Sequence, residues 1–212
     1  MSYGIKEVYH TLQGEGAQAG RAAVFLRFAG CNLWTGREAQ RADAVCRFCD
    51  TDFVGTDGEN GGVYTTAAKV AHIVAEVWKR NAEGGVPLVV CTGGEPLLQL
   101  DEELTSALKR RGFEIAVETN GTQPRPAGID WLCVSPKIGA ALELRSGDEL
   151  KLVYPQEGGD PAQFESLDFT HFFLQPLDDE HAEENTRKAI AYTLAHPRWR
   201  LSIQLHKFLG LR

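Results

Sequence analysis

The sequence predicts an α/β fold, a partial, TIM-like barrel of about six parallel strands with few helices. Short apolar runs alternate with amphipathic helical patterns along the 212 residues, an order typical of parallel sheets. Several runs are continuously apolar, as in strands that are covered on both faces. About three helical patterns are evident, and the chain is shorter than the roughly 250 residues of a complete eightfold barrel. We therefore expect an open barrel with its functional residues on the loops that follow the C-terminal strand ends.

The individual elements follow from local patterns. Segments rich in β-branched and aromatic residues are predicted as strands over 22–28, 87–91, 113–118, 131–134, 149–154, 171–175 and 199–205. Apolar residues at three- and four-residue spacing predict a helix over 66–82. Two further helices are predicted over 102–111, ended by Gly112, and over 182–195, ended before Pro197.

Composition and charge restrict the class of protein. The chain has 22 Lys and Arg against 29 Asp and Glu, a net charge of −7, which argues against a nucleic-acid binder because such proteins need a basic face. No run of 18 consecutive apolar residues is present, so no membrane span is expected. The N-terminus lacks an apolar signal core, and we expect a cytoplasmic protein that forms a single domain over 1–212.

The cysteines carry the first chemical signal. Cys31, Cys46 and Cys49 have the spacing Cys-x14-Cys-x2-Cys, and they begin a long segment, residues 31–63, that shows no convincing secondary structure. Three thiolates suit a [4Fe–4S] cluster with one iron left open, but they also suit a structural zinc with His10 as the fourth ligand. The spacing alone does not decide between them. The remaining two, Cys91 and Cys133, lie in apolar strands and are interpreted as small buried side chains.

A second signal is the turn Gly93-Gly94-Glu95-Pro96, which follows a predicted strand. Two glycines remove side chains where the backbone must approach a ligand closely. The alternative is an ordinary strand-to-helix turn with Pro96 at the first helical position. The turn is stronger evidence when it is combined with the three upstream cysteines.

Together these motifs resemble the radical S-adenosylmethionine superfamily, which has three cluster cysteines after its first barrel strand and a Gly-Gly-Glu-Pro turn after the second. The resemblance implies a [4Fe–4S] cluster on Cys31, Cys46 and Cys49. It also implies that Gly93, Gly94 and Glu95 bind the methionine end of S-adenosylmethionine. The usual cysteine spacing is Cys-x3-Cys-x2-Cys, so this chain carries an insertion over about residues 32–45 whose shape and role the resemblance does not explain.

A finer resemblance, to the 7-carboxy-7-deazaguanine synthases, covers nearly the whole chain. It rests on an ordered set of motifs, namely Leu12-Gln13-Gly14-Glu15-Gly16, Phe25-Leu26-Arg27-Phe28, Cys31-Asn32-Leu33, Cys49-Asp50-Thr51, Glu118-Thr119-Asn120-Gly121, Ser135-Pro136-Lys137, Leu174-Gln175-Pro176 and Gln204-Leu205-His206-Lys207. The resemblance implies a lyase that converts 6-carboxy-5,6,7,8-tetrahydropterin to 7-carboxy-7-deazaguanine with release of ammonia, in queuosine and 7-deazapurine biosynthesis. The reaction would start with a 5′-deoxyadenosyl radical, and S-adenosylmethionine would be regenerated.

For the substrate, the planar fork of Arg27 suits the pterin carboxylate, the alternative being a surface salt bridge. Gln13, the Gly14 backbone and Glu15, next to Leu12, are candidates to read the pyrimidine edge, the alternative being a flexible turn. The hydroxyl of Thr92 is a further candidate contact.

For the cofactors, the resemblance implies that Phe48 packs near adenine, that Asp50, Ser135, Lys137, Gln175 and Pro176 contact S-adenosylmethionine, and that Thr51 binds Mg²⁺. The implied partners are the pterin, a flavodoxin- or ferredoxin-type electron donor and a second copy of the chain in a homodimer, with no nucleic acid and no membrane. Two alternatives remain at this point: a small activating enzyme that makes a glycyl radical on a partner protein, and a zinc-binding module without catalysis.

Overall fold

The computed structural model describes residues 2–211, and in that part of the chain it has one nine-stranded sheet. The strands are β1 Tyr3–Leu12, β2 Ala22–Phe28, β3 Gly62–Tyr64, β4 Leu88–Gly93, β5 Glu114–Thr119, β6 Trp131–Val134, β7 Ser146–Tyr154, β8 Asp168–Pro176 and β9 Trp199–Leu201. The α-helices are α1 Ala67–Asn81, α2 Glu102–Lys109, α3 Ala182–Ala195 and α4 Leu205–Leu209. Short 3₁₀ segments cover Gly16–Gln18, Glu38–Asp43, Pro96–Leu98 and Pro161–Phe164.

The strand order is β3-β1-β2-β4-β5-β6-β7-β8-β9. From β2 to β9 every neighbouring pair in this order is parallel, whereas β1 and β3 extend the sheet in the antiparallel sense. The sheet therefore has seven parallel strands, close to the six expected, and β3 and β9 are its two edges. The prediction of an α/β partial barrel with few helices is confirmed.

The main core lies between the outer face of the sheet and the helices. Leu26 of β2, Val74 of α1 and Leu104 of α2 are fully buried there. The helices begin at good N-caps, since Thr66 accepts a hydrogen bond from the Lys69 N–H and Asp101 accepts one from the Leu104 N–H. These caps lie at the positions where the apolar spacing predicts the helices to begin, and the predicted ends agree within two residues.

The inner face of the sheet changes character along each strand. Because side chains alternate between the two faces of a strand, the inner residues of β2 are Ala23, Phe25 and Arg27. In β4 the inner residues change in the same way from Leu88 to Thr92. The inner face is thus apolar at the N-terminal end of the barrel and polar at the C-terminal end, where a site is expected.

Three segments differ from the sequence prediction. Strand β1 was not predicted, because an irregularity in its pairing between Ile5 and Glu7 interrupts the alternation of apolar and polar residues. The predicted strand over 199–205 ends at Leu201 and is followed by α4. The long segment over 31–63 is not without structure, since it contains the 3₁₀ segment Glu38–Asp43 and the start of β3.

The residues that the structure describes include no helix long and apolar enough to span a membrane.

Replacing Leu104 by Ala tests the packing of α2 on the sheet. Leu104 is fully buried, so the change is expected to lower the free energy of unfolding by roughly 2–5 kcal/mol, measured by urea denaturation. Leu194→Ala is the matched control, because Leu194 is 78% exposed and its truncation is expected to change stability by less than about 0.5 kcal/mol. Equal losses in the two variants would contradict this assignment of the core.

Candidate active site

A cavity of about 400 Å³ lies at the polar, C-terminal end of the barrel. Most of the residues that the sequence marks as functional line it, although they are widely separated along the chain. These lining residues are Leu12, Gln13, Glu15, Arg27, Cys31, Cys46, Phe48, Cys49, Asp50, Thr51, Thr92, Gly93, Gly94, Ser135, Lys137, Gln175 and Pro176.

The three cysteines of the Cys-x14-Cys-x2-Cys motif meet at one side of this cavity. Cys31 follows β2, and its sulfur accepts a hydrogen bond from the Leu33 N–H at 3.4 Å. The Cys46 thiol donates to the Cys49 sulfur, which lowers the pKa of Cys49 to about 6 and raises the pKa of Cys46. Cys49 therefore favours the thiolate, the form that binds metals.

The donor set fits an iron–sulfur cluster, since thiolates hold such clusters and three of them leave one position for another molecule. A structural zinc would need a fourth protein ligand. Among residues 2–211, no three His, Cys, Asp or Glu side chains lie close enough to share one metal ion. The zinc interpretation also loses its fourth ligand, because His10 contacts Trp78 of α1 on the helix side of the sheet and does not line the cavity.

The double-glycine turn also has a packing requirement that the sequence pattern did not reveal. A side chain on Gly93 would collide with the backbone of Phe28, and one on Gly94 would collide with the backbone of Gly30. The glycines are thus required by the close packing of two turns, although both also line the cavity. The Gly94 N–H donates to the Phe28 carbonyl at 3.3 Å, and the Glu95 N–H donates to the Gly30 carbonyl at 2.9 Å.

Glu95 and Gly14 are not brought to the cavity wall. Glu95 is fully buried, and its carboxylate accepts from the Thr119 hydroxyl at 2.7 Å and from the Asn120 N–H at 2.8 Å. Burial raises its pKa. Gly14 packs against His206, and its carbonyl accepts from the Leu205 N–H at 3.0 Å. Glu95 therefore joins two strand ends, and Gly14 joins the turn after β1 to the C-terminal segment.

Lys137 places a positive charge near the thiols. Its ammonium donates to the Ser135 carbonyl at 2.7 Å and to the Ser135 hydroxyl at 2.8 Å, while desolvation lowers its pKa. Both residues follow β6 and line the cavity. A cation and a hydroxyl fixed at this position can bind a carboxylate or a ribose.

Arg27 lies inside the cavity and not on the outer surface. It is directly opposite Thr92 in the parallel pairing of β2 with β4. Its Nε donates to Glu7 Oε1 at 2.8 Å and its Nη2 donates to the Tyr9 hydroxyl at 3.0 Å, with 16% of its side chain exposed. The ion pair and hydrogen bond hold the guanidinium in one orientation.

A buried charge network occupies the inner face next to Arg27. Lys151 of β7, whose side chain is 4% exposed, lies 2.5 Å from Glu15 and 3.4 Å from Glu118. Glu118 also accepts from the Gln13 amide at 2.9 Å, and Glu15 accepts from the Gln175 amide at 3.1 Å. The pKa of Glu15 is lowered by Lys151 in spite of desolvation, which acts in the opposite direction. The network fixes Glu15 as a carboxylate.

Sequence reasoning missed Glu118 and Lys151 as cavity residues. Each is a charged residue at an inner-face position of an otherwise apolar strand. This pattern can be recognised in the sequence only after the inner and outer positions of β5 and β7 are assigned. The buried Glu149 belongs to the same group and accepts from the Ala17 N–H at 2.8 Å. Cys133, predicted to be inert, is buried as expected but lies against Glu149 and Lys151. Cys91 lies in the apolar core, as predicted.

The C-terminal segment covers part of the cavity. His206 and Lys207 of α4 line it, and the Gln204 amide donates to Glu15 at 3.1 Å. The ammonium of Lys207 lies 2.7 Å from Asp50, in the cysteine segment, and 2.5 Å from Asp178, after β8. This segment therefore links the two sides of the cavity mouth.

Known proteins with similar sequences and a similar structure identify the family of this chain. The family model described as the radical SAM superfamily matches residues 40–151. The chain is 60% identical to 7-carboxy-7-deazaguanine synthase of Caulobacter vibrioides and 61% identical to that of Bradyrhizobium diazoefficiens, in each case over 100% of both chains. The solved structure of QueE from Escherichia coli is similar with a TM-score of 0.70 at 27% identity, covering 97% of this chain and 95% of that one. The chain therefore belongs to the radical SAM superfamily and, within it, to the family of the 7-carboxy-7-deazaguanine synthases.

Proposed function

We propose that this protein is a radical SAM lyase that converts 6-carboxy-5,6,7,8-tetrahydropterin to 7-carboxy-7-deazaguanine with release of ammonia. The observation that carries this proposal is a single cavity lined both by the three thiols and by an oriented arginine next to buried carboxylates. A glycyl-radical activating enzyme needs the thiols. It does not need an arginine and carboxylates inside the same cavity, which fit a small anionic heterocycle. The full-length relatives support the same choice.

Cys31, Cys46 and Cys49 would hold the [4Fe–4S] cluster, and a set of three protein ligands would leave one iron for S-adenosylmethionine. When bound, the two cofactors supply the hydrogen-atom abstraction that starts the reaction. Gly93 and Gly94 present backbone groups to the methionine end of S-adenosylmethionine. Ser135 and Lys137 bind either the carboxylate of that end or the ribose of the adenosyl part. Phe48, Asp50, Gln175 and Pro176 line the remaining wall and support the adenosyl part.

Arg27 and Thr92 bind the substrate carboxylate, since they lie side by side on β2 and β4. Leu12, Gln13 and Glu15, which line the cavity, form the part of the site that reads the pyrimidine edge, and Gly14 between them holds the turn to the C-terminal segment. Glu118 joins them, because its carboxylate holds the Gln13 amide and its side chain is 21% exposed at the cavity. Carboxylates accept from the amino and ring N–H groups of such an edge.

Thr51 is the proposed Mg²⁺ ligand. Its support is its position on the cavity wall between Asp50 and Asp52, which also line the cavity. Mg²⁺ binds proteins through few oxygen ligands and keeps water or substrate oxygens in its remaining positions, so one hydroxyl with a substrate carboxylate is a suitable set.

The partners that follow from this function are the pterin, a flavodoxin- or ferredoxin-type electron donor and a second copy of the chain, in the cytoplasm. Support for a homodimer comes from α4, where Phe208 is 87% exposed and Leu209 is 55% exposed. Large apolar side chains exposed on one short helix are typical of an interface.

The decisive experiment is anaerobic reconstitution with iron and sulfide, followed by incubation with S-adenosylmethionine, a reductant and carboxytetrahydropterin. We expect 7-carboxy-7-deazaguanine and ammonia, detected by mass spectrometry and an ammonia assay. Cleavage of S-adenosylmethionine without this product would favour the activating enzyme. A colourless protein that carries one zinc would favour the non-catalytic module.

Cys46→Ala is expected to abolish S-adenosylmethionine cleavage, because only two of the proposed cluster ligands remain. Iron content and the visible spectrum measure the loss of cluster directly. Cys91→Ala is the matched control, since Cys91 is buried in the core away from the cavity. Retained cleavage in Cys46→Ala would remove this residue from the ligand set.

Arg27→Gln is expected to raise the KM for the pterin roughly thirtyfold, because losing a charged partner of a buried carboxylate costs about 2 kcal/mol or more. The cluster spectrum should stay unchanged. Arg21→Gln is the control, since Arg21 pairs with Glu114 and does not line the cavity. A loss of cluster in Arg27→Gln would show that Arg27 has a structural role instead.

Lys151→Met removes a buried cation from Glu15 and Glu118, whose side chains are 13% and 21% exposed, and we expect a loss of roughly 3–5 kcal/mol in unfolding free energy at pH 7. The pKa of Glu15, lowered in the wild type by Lys151, rises in the variant, so protonation relieves the penalty. The stability difference from wild type should therefore shrink as the pH falls. Lys109→Met, which breaks the partly exposed pair with Asp130, should change stability by about 1 kcal/mol or less. A Lys151→Met penalty that does not depend on pH would contradict this account.

A further inference from the structure

The insertion between Cys31 and Cys46 has no role in the function described so far. It contains the 3₁₀ segment Glu38–Asp43, which lies outside the cavity. One of its side chains, Arg41, points back to the cysteine segment. An insertion within a ligand motif must either be accommodated by the motif or help to form it.

Arg41 is bonded to the backbone of the cysteine segment at two points. Its Nη1 donates to the Arg47 carbonyl at 2.8 Å and to the Cys49 carbonyl at 3.1 Å. Residues 44–53 have no regular secondary structure, so their carbonyls must find donors outside a helix or a sheet. Nη1 makes both of these bonds, and the rigid guanidinium lets Nε reach Glu38 at the same time, which the single nitrogen of an ammonium cannot do in the same fixed geometry.

The guanidinium itself is held in place from two further directions. Its central carbon lies 4.1 Å from the ring centroid of Trp34, which is buried and packs edge-on against Phe53 at 5.5 Å. Its Nε donates to Glu38 at 2.8 Å. Because Trp34 and Phe53 both line the cavity, Arg41 connects the outer insertion to the wall that carries the thiols.

The charge of Arg41 is only partly compensated. Its partner Glu38 is 76% exposed, so solvent screens that carboxylate, whereas the side chain of Arg41 is 28% exposed. Arg41 therefore contributes a fixed positive charge, bonded through the Cys49 carbonyl to a proposed cluster ligand. Positive charge and hydrogen bonds near an iron–sulfur cluster stabilise its reduced, more negative state.

We propose that Arg41 is a positioning residue of the cluster: it fixes the Cys46–Cys49 segment through two carbonyls, and its charge makes the cluster easier to reduce. This inference rests on the ligation of a [4Fe–4S] cluster by Cys31, Cys46 and Cys49 proposed above. The insertion thus has a structural role at the cluster, which the shorter Cys-x3-Cys-x2-Cys motif has no Arg41 to perform.

The test compares Arg41→Gln, Arg41→Lys and Arg37→Gln with wild type after anaerobic reconstitution. The reduction potential is measured by titration monitored by electron paramagnetic resonance, and cluster retention by the rate of iron transfer to a chelator. Arg41→Gln is expected to shift the potential to more negative values and to release iron several-fold faster. Arg41→Lys should keep the potential closer to wild type but also release iron faster, since it retains the charge without the fork.

Arg37→Gln is the matched control, because it removes the same charge from the same insertion at an exposed side chain that contacts neither carbonyl. It should behave as wild type in both measurements. A wild-type potential in Arg41→Gln, or an equal shift in Arg37→Gln, would overturn the inference. If Arg41→Gln retains too little cluster to titrate, a wild-type iron-release rate in Arg41→Lys overturns it instead. Failure of the wild-type protein to take up a cluster would overturn the proposed ligation itself, which distinguishes the two.

Discussion

The site depends on the direct packing of two backbone turns, the one after β2 and the one after β4. With no side chain at Gly93 or Gly94, the second turn lies against Phe28 and Gly30 and donates two backbone hydrogen bonds to their carbonyls. Cys31 follows immediately, so the first thiol is held beside the glycine turn. Glu95 then bonds to the Asn120 N–H at the end of β5. Three successive strand ends are thus locked together before any cofactor binds, which is the preorganisation that such chemistry requires.

The opposite side of the cavity is built by residues that also complete the open barrel. The turn after β1 is bonded to the C-terminal segment, through the Gly14 carbonyl with Leu205 and the Gly16 N–H with Ser202. Glu15 crosses the interior to Lys151 on β7 and Gln175 on β8. A barrel with seven parallel strands leaves a gap that a complete barrel does not have, and these polar contacts bridge it. The proposed substrate residues therefore cannot move far without opening the fold.

Local patterns in the sequence were sufficient for the elements that are regular and for the residues that follow them. β2, β6 and α3 have the predicted bounds, and the thiols, Arg27 and Lys137 meet at one cavity as strand-end residues should. What could not be predicted depends on long-range pairing. An irregular register hides β1, and Glu118 and Lys151 become site residues only when β5 and β7 are bent around the same interior. The contacts of Arg41 depend on the path of an insertion that no periodicity describes.

The balance of charge in the cavity restricts how an anionic substrate can lie there. Glu15, Glu118 and Glu149 surround a single ammonium, that of Lys151, so this part of the interior has excess negative charge in a region of low dielectric. Arg27 is the cation next to it on the cavity wall, and Glu7 holds its guanidinium in place. A substrate carboxylate is therefore repelled everywhere near the network except at Arg27, while N–H donors are attracted to Glu15 and Glu118. Under the proposed function, repulsion and attraction together would select one orientation of the pterin, with its carboxylate at Arg27 and its pyrimidine edge at the carboxylates.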